Sequence, residues 1–485
     1  MPSTKTIIKA TAAVLAIYLV LSAAFFWISG EQLFYRDETT DMVNGSMDVG
    51  ELLPGIELRQ RFTVEGDELR AVSFIILTYG RQNTSSLSVR IEDALGREVG
   101  QADFPAADLP NGSPTTVHFP AAIPVKKGEA YDLVLLSLDA SPGNAVTIWY
   151  GNTMTLSGKQ LALTIPQSEL LRLNGESLPG KLCFSLDLRE RLWFGDYYWF
   201  FVLAFGVLIC LYGAYTAVMA GRGKATLVLR VCSAFRQYNY LIRQLVSRDF
   251  KTKYKRSVLG VLWSLLNPIL TMTVQYIVFS NLFRSDIPNF ALYLIIGIVC
   301  YNFFSESTSM TLTSIVGNAG LITKVYMPKY IYPFSRTVSS TVNLLFSLIP
   351  LFGVMLLTGT PVRPAVLLLP FGLLCLFLFS LGIGMLLATA MVFFRDTQFL
   401  WGIVCMLWMY LTPIIYPESI IPAQYMTLYR CNPLYHVIRF IRTVLMDGIS
   451  PEPMAYALCL LSSCIPLLLG VLVFWKKQNE FVVNL

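Results

Sequence analysis

Ten basic residues and a single acid stand between positions 222 and 256: Arg222, Lys224, Arg230, Arg236, Arg243, Arg248, Lys251, Lys253, Lys255 and Arg256, with Asp249 among them. Cations at this density can neutralise phosphate groups or hold a segment on the cytoplasmic face of a membrane. The chain then turns almost wholly apolar, in "SVLGVLWSLLNPIL". A basic run that abuts oil points to a membrane surface and away from nucleic acid. Ile242, Val246, Phe250 and Tyr254 recur at i, i+4, while Arg248, Lys251 and Lys255 fall on another face. That pattern predicts an amphipathic helix lying in the membrane interface, its cations toward lipid headgroups. Arg243 and Lys253 sit near the apolar arc, where long side chains can snorkel. Arg248 or Lys253 is the expected partner of Asp249. On charge alone the cations could equally do no more than set topology.

The composition explains why such a helix needs a membrane. Only 14% of the 485 residues are charged and 54% are hydrophobic, against about 25% charged in soluble domains. Eight apolar runs approach or reach the ~20 residues that cross a bilayer core: 7–28, 199–220, 258–283, 291–313, 335–357, 365–394, 399–415 and 455–475. The first is long for a signal peptide and lacks a small-residue cleavage site after Trp27, so it reads as a retained anchor. Nine scattered cysteines and two histidines form no disulfide framework or metal-ligand spacing. No metal site is expected.

Residues 30–196 interrupt the apolar pattern. Short alternating runs such as "IELRQRFTV", "SLSVRIED" and "YDLVLLSL" are separated by the turn residues "NGSP", "KKGE" and "SPGN". This predicts a β-sandwich. Lys5 and Lys9 place the N-terminus in the cytoplasm, the β domain outside, and the basic 222–256 segment back inside. The expected architecture is a polytopic α-helical membrane protein of about eight spans with an inserted extracellular β-sandwich domain. Its parts are an anchor (1–29), the β domain (30–196), a second span (197–221), the interface region (222–257) and a six-span core (258–485).

The order "RDFKTKYKRSVLGVLWSLLNP" closely resembles the opening of the permease core in polysaccharide-exporting ABC transporters of the type-2 exporter class. Arg248, Asp249, Lys251, Tyr254, Lys255, Ser257, Leu259, Gly260, Trp263 and Pro268 match that pattern. The resemblance implies that this is where substrate gains access. A second match is "NAGLITKVYMPKYIYP" at 318–333, a short helix halted near Pro328 and carrying apolar Leu321, Ile322, Val325 and Met327. An apolar knob of this kind suits a helix-in-groove contact. By resemblance Asn318, Gly320, Leu321, Ile322, Lys324 and Pro328 couple to an ATPase subunit. "FFRD" supplies an inner-end charge pair, Arg395 and Asp396. "LTPIIYPESIIPAQYMTLYRCNPL" is punctuated by Pro413, Pro417, Pro422 and Pro433. Broken helix at membrane depth must be surrounded by protein or a cavity, and two short re-entrant helices fit. The resemblance assigns an external gate here, at Pro413, Tyr416, Pro417, Asn432 and Pro433. These matches run from about 243 to 445 and do not reach the first 220 residues.

The sequence contains no GxxxxGK[ST]; "GRGKAT" at Gly221 lacks the spacing. No catalytic residue is assigned and no cofactor is expected in this chain, with ATP and Mg²⁺ held by a partner. The partners implied by resemblance are a second copy of the chain, two ATPase subunits, a lipid-linked polysaccharide of O-antigen or teichoic-acid type, and membrane lipid. The expected location is a bacterial cytoplasmic membrane with both termini inside. A small-molecule exporter and a membrane-anchored glycan-binding scaffold are the rival readings. Tyr79, Trp149 and Tyr150 are the β-domain aromatics that could meet a glycan, and Glu306 is the ionisable group set within a span.

Overall fold

The computed structural model describes residues 3–484 except 46, 108, 157–158, 163–164, 255–258, 261, 284–288 and 325–326, and the side chains of 154–156, 159–162, 227, 254, 281–283, 419 and 423. The chain divides into two compact units, Leu33–Asp196 and Met1–Gln32 together with Tyr197–Leu485.

The Leu33–Asp196 unit is built from antiparallel strands in two main sheets and one two-stranded hairpin. Its longer strands are β1 (Tyr35–Thr39), β2 (Glu57–Thr63), β3 (Glu68–Leu77), β4 (Ser86–Glu92), β5 (Glu98–Pro105), β6 (Pro114–Pro124), β7 (Ala130–Leu136), β8 (Thr147–Gly151) and β9 (Phe184–Arg191). One sheet runs β1-β9-β3-β8 with β6 also on β3; the other runs β2-β7-β4-β5. Alternating residues of both sheets, including Leu58, Phe62, Val72, Phe74, Leu133 and Leu186, meet in one apolar core. Period-2 patterning produces this arrangement, because successive side chains face opposite sides of a strand.

A charge ladder crosses the second sheet. Arg61 donates to Asp132 at 2.8 and 3.0 Å, and Arg59 reaches Glu92 at 2.7 Å and Asp132 at 3.3 Å. Burial disfavours the ionised Asp132 carboxyl, yet the hydrogen bonds and charges of Arg61 and Arg59 outweigh it and hold its pKa below the ordinary value. A depressed folded-state pKa gives stability that is present above the unfolded value near about 4 and is lost as pH falls through the lower folded value. Acidification is therefore expected to expose residues 33–196 to protease. Asp132→Asn should remove part of that acid sensitivity while lowering resistance at pH 7. A proteolysis profile of Asp132→Asn identical to the parent at both pH values would show that the ladder adds nothing.

The other unit is helical. Its helices are α1 (Thr4–Ser29), α2 (Tyr198–Gly221), α3 (Leu227–Tyr254), α4 (Leu262–Phe283), α5 (Phe290–Leu312), α6 (Ile331–Leu357), α7 (Leu369–Phe393), α8 (Thr397–Tyr410), α9 (Ala423–Arg430), α10 (Pro433–Arg442) and α11 (Pro453–Lys477). Seven of the described helices are long and apolar enough to cross a membrane: α1, α2, α4, α5, α6, α7 and α11. The chain is a multi-pass membrane protein. The eighth expected span is only the fourteen residues of α8, because Pro413 and Pro417 lie just beyond it and cannot extend the ladder. At 1.5 Å per residue it falls short of a ~30 Å core.

Helix α5 is the centre of the bundle; 78% of its apolar window is buried, with α6 and α7 packed against it. Small residues let α7 and α11 touch. A Cβ on Gly470 would lie 2.3 Å from the Gly382 carbonyl oxygen, and one on Gly382 would lie 2.4 Å from the Leu467 nitrogen. Such backbone contact is how helices associate where no hydrophobic driving force separates them from lipid.

Candidate transport site

The amphipathic stretch forms α3, longer at its N-terminal end than the sequence pattern required. Leu245 and Asp249 are buried on one face, flanked by half-buried Leu241, Ile242, Val246 and Phe250, whereas Arg243, Arg248, Lys251 and Lys253 are exposed. Beyond the helix, Lys255 and Ser257 lie outside the described residues, as does the Tyr254 side chain. Gly260 has φ +51°, a left-handed conformation that glycine adopts without cost. It turns the chain into α4, where Trp263 is 47% exposed and Pro268 lies within the helix.

The buried carboxylate organises the neighbourhood. Arg336 of α6 meets Asp249 Oδ1 at 3.0 Å and Arg248 meets it at 3.4 Å. Arg248 also donates to Asn318 Oδ1 at 3.2 Å, and Asn318 donates to the Ser314 carbonyl at 2.7 Å. Lys253, one of the two expected partners of Asp249, pairs instead with Glu306 of α5 at 2.6 Å. Residues 249 and 253 are one helical turn apart, and the packing brings the Glu306 carboxylate to the Lys253 ammonium. Glu306 also accepts from Asn343 at 2.6 Å. These groups surround a cavity of about 500 Å³. Helix α3 is thus bonded to α5, to α6 and to the loop that follows α5. Arg336 escaped the sequence reading because a lone arginine in "PFSRTVSS" has no local partner to mark it.

The loop begins with a 3₁₀ turn, Val316–Asn318, and a single helical turn, Ala319–Ile322. Asn318 is buried, Leu321 is 40% exposed, Gly320 and Lys324 are exposed, and Pro328 is half-buried. Ile322 departs from the expected knob. It is 9% exposed and packs with Ile315, Ile331 and Met385, because one helical turn cannot present two consecutive residues to the same side. Met327 packs on the same cluster, and Val325 lies outside the described residues. Leu321 remains the exposed apolar residue of this turn.

Arg395 and Asp396 occupy the turn between α7 and α8 and are both exposed. Among the described residues they form no ion pair with each other, and Asp396 precedes α8 without a side-chain cap bond.

At the other end of the core the broken segment folds as Pro413–Pro417, then α9 and α10. Its polar groups satisfy one another. Tyr416 donates to the Tyr410 carbonyl at 2.6 Å and contacts the Tyr429 hydroxyl at 3.1 Å. Asn432 accepts from Trp408 Nε1 at 2.9 Å and from the Leu434 amide at 3.1 Å, capping α10. Its Nδ2 donates to Thr412 at 2.9 Å. Pro413 and Pro417 are buried and Pro433 is half-buried, at the first position of α10. Behind them lies Arg442, unmarked by any motif. Its guanidinium donates to the carbonyls of Pro413 at 2.6 Å, Ile414 at 3.1 Å and Tyr293 at 3.2 Å. It stacks 3.3 Å from the Tyr293 ring centre. Carbonyls of the broken segment find donors here and in the Tyr293 hydroxyl, which reaches Pro413 at 3.2 Å and Tyr416 at 2.8 Å.

The described residues thus form a bundle of spanning helices with a cationic amphipathic helix, a short exposed turn between two spans and a proline-broken segment. Residues 240–446 match the ABC-2 type transporter family. The chain is 31% identical over 210 residues to an O-antigen export system permease protein RfbA of Klebsiella pneumoniae, covering 43% of this chain and 81% of that one. A Myxococcus xanthus protein of the same description is 28% identical over 260 residues, 53% of this chain and all of its own. The Polysialic acid transport protein KpsM of Escherichia coli is 21% identical over 257 residues, 52% of this chain and 99% of its own. The chain belongs to the ABC-2 type transporter family.

Proposed function

We propose that this protein is the permease subunit of an ATP-driven exporter that moves a lipid-linked cell-envelope polysaccharide, of the O-antigen kind, across the bacterial cytoplasmic membrane. The observation that carries this reading is the position of the Arg248–Asp249–Arg336–Lys253–Glu306 cluster. It lies within residues 240–446, the stretch matched to the ABC-2 type transporter family, and relatives of the chain are named as O-antigen export permeases. Arg248 and Lys251 on α3, with Lys255 beyond it, attract the anionic diphosphate of the lipid carrier. The glycan passes between two copies of the chain, and Pro413–Pro433 yields on the far side.

Energy enters from two ATPase subunits, which bind ATP and Mg²⁺ and seat on the turn at Leu321. The Arg248–Asn318 bond joins that turn to α3, so a push on the turn reaches the cationic helix. Both termini face the cytoplasm and residues 30–196 face outward. Leu321→Asp is expected to abolish co-purification of the ATPase and to cut export by more than about tenfold, without changing thermal stability, since the side chain is exposed. Retained ATPase and retained export would overturn the docking assignment.

Deleting the gene tests the whole reading. Lipid-linked glycan should accumulate inside the cell while surface polymer is lost. Normal surface polymer without intracellular build-up would refute export of this substrate class.

A further inference from the structure

The two helices that precede the family-matched stretch enclose an apolar slot. A cavity of about 600 Å³ lies between α1, α2 and the first turns of α3, lined by Ile7, Ala10, Val14, Phe205, Leu208 and Val228 among others, within the range of small-ligand sites. Two of the hydroxyls at its wall are satisfied internally: Thr11 donates to the Ile7 carbonyl at 3.0 Å and Thr216 to the Gly213 carbonyl at 2.8 Å. The rest of the lining is mainly hydrocarbon. Gly213 sets the width, because a Cβ there would lie 2.3 Å from Thr11 Cγ2.

The rim has the opposite character. Lys5 and Lys9 adjoin the lining residues Thr6 and Ala10, Arg222 and Lys224 lie in the connection from α2 to α3, and Arg230 follows lining residue Leu229. All five are exposed, and among the described residues none makes an ion pair. No aspartate or glutamate occurs in residues 1–30 or 197–248, so no carboxylate from these segments competes for them. An apolar slot whose flanking chain segments carry five exposed cations and no carboxylate, in a unit of membrane-spanning helices, is complementary to one kind of guest.

We propose that this slot binds one anionic membrane phospholipid, with a hydrocarbon chain between α1, α2 and α3 and the headgroup on Lys5, Lys9, Arg222, Lys224 and Arg230. The lipid fills the space between the α1–α2 pair and α3 and so fixes the start of the helix whose far end carries the Asp249 cluster. The slot lies within residues 6–232, outside the stretch matched to the transporter family, and the inference does not depend on which substrate is exported.

The test is native mass spectrometry of the full chain, purified in mild detergent and then incubated with phosphatidylglycerol or phosphatidylcholine. One phosphatidylglycerol per chain is expected to survive activation, retained in about tenfold preference to phosphatidylcholine. Lys5→Gln with Lys9→Gln should reduce that preference severalfold while leaving the fold intact, since both side chains are exposed. Ala10→Trp, which fills the slot and keeps every charge, should displace the lipid altogether. Equal retention of the two lipids, or phosphatidylglycerol binding undiminished in Ala10→Trp, would overturn the proposal. Closure of the slot by a second copy, seen as a cross-link between Val14→Cys and Phe205→Cys of different chains, would overturn it as well.

Discussion

Arg442→Ala is expected to lower the stability of the purified protein by about 3 kcal/mol or more and to abolish export. The guanidinium is buried and holds three main-chain carbonyls. Removing it takes the guanidinium donors from those acceptors, leaving the Pro413 carbonyl only the Tyr293 hydroxyl at 3.2 Å, and a buried acceptor stranded without a donor costs about 1–3 kcal/mol. It also leaves the Tyr293 hydroxyl, which meets the Pro413 and Tyr416 carbonyls at 3.2 and 2.8 Å, to hold the broken segment against α5, so that segment is less firmly fixed. Arg442→Lys should recover part of the stability but little of the function. An ammonium has three donors on one nitrogen, so it lacks the spread of the guanidinium and cannot lie flat on the Tyr293 ring. Thermal unfolding in detergent checks the first claim and surface-polymer analysis the second. An Arg442→Ala protein that melts with the parent and exports normally would mean that the segment is held by something else.

Asp249→Ala is the second large effect. Its carboxylate is the shared anion of Arg248 and Arg336, with a side chain only 4% exposed. Without it two cations face each other across α3 and α6, and the tie between the helices becomes a repulsion. Export is expected to fall by at least about tenfold while the ATPase still co-purifies, because Leu321 is untouched. Asp249→Asn keeps the shape and one acceptor but loses the charge, and should fall between. Lys253→Gln should cost less, since its ion pair with Glu306 is 41% and 30% exposed at the two side chains and pairs of that kind are worth about 0–1 kcal/mol. If Asp249→Ala exported at the parental rate, the ion cluster would be a structural ornament of α3 and not part of the transport path.

Both residues show where local sequence stops being informative. Asp249 was visible as the single acid in a basic run, yet its stronger partner, Arg336, lies 87 positions away. No periodicity links the two. Arg442 sits in "RFIRTVL", where an arginine on an amphipathic stretch reads as a solvated face. Only the packing of α10 against α5 and the broken segment buries it. Ile322 erred in the other direction, since an apolar residue in a short polar-flanked turn looks available for a partner until its neighbours are known. The β-sandwich, by contrast, could be read strand by strand, because alternation of apolar and polar residues is a local signal.

The sequence by itself determined seven of the eight expected spans, the β-rich insertion, the amphipathic helix α3 and the proline breaks after α8. Each follows from hydropathy, periodicity or backbone chemistry within a window of about twenty residues. The tertiary structure alone decided which charges pair, which apolar residues of the coupling turn stay exposed, and that an arginine supplies the donors missing from a proline-broken segment. Those outcomes depend on contacts between residues far apart in the chain. A buried charge or carbonyl takes whichever partner the packed helices bring within about 3 Å, and no local pattern encodes that distance.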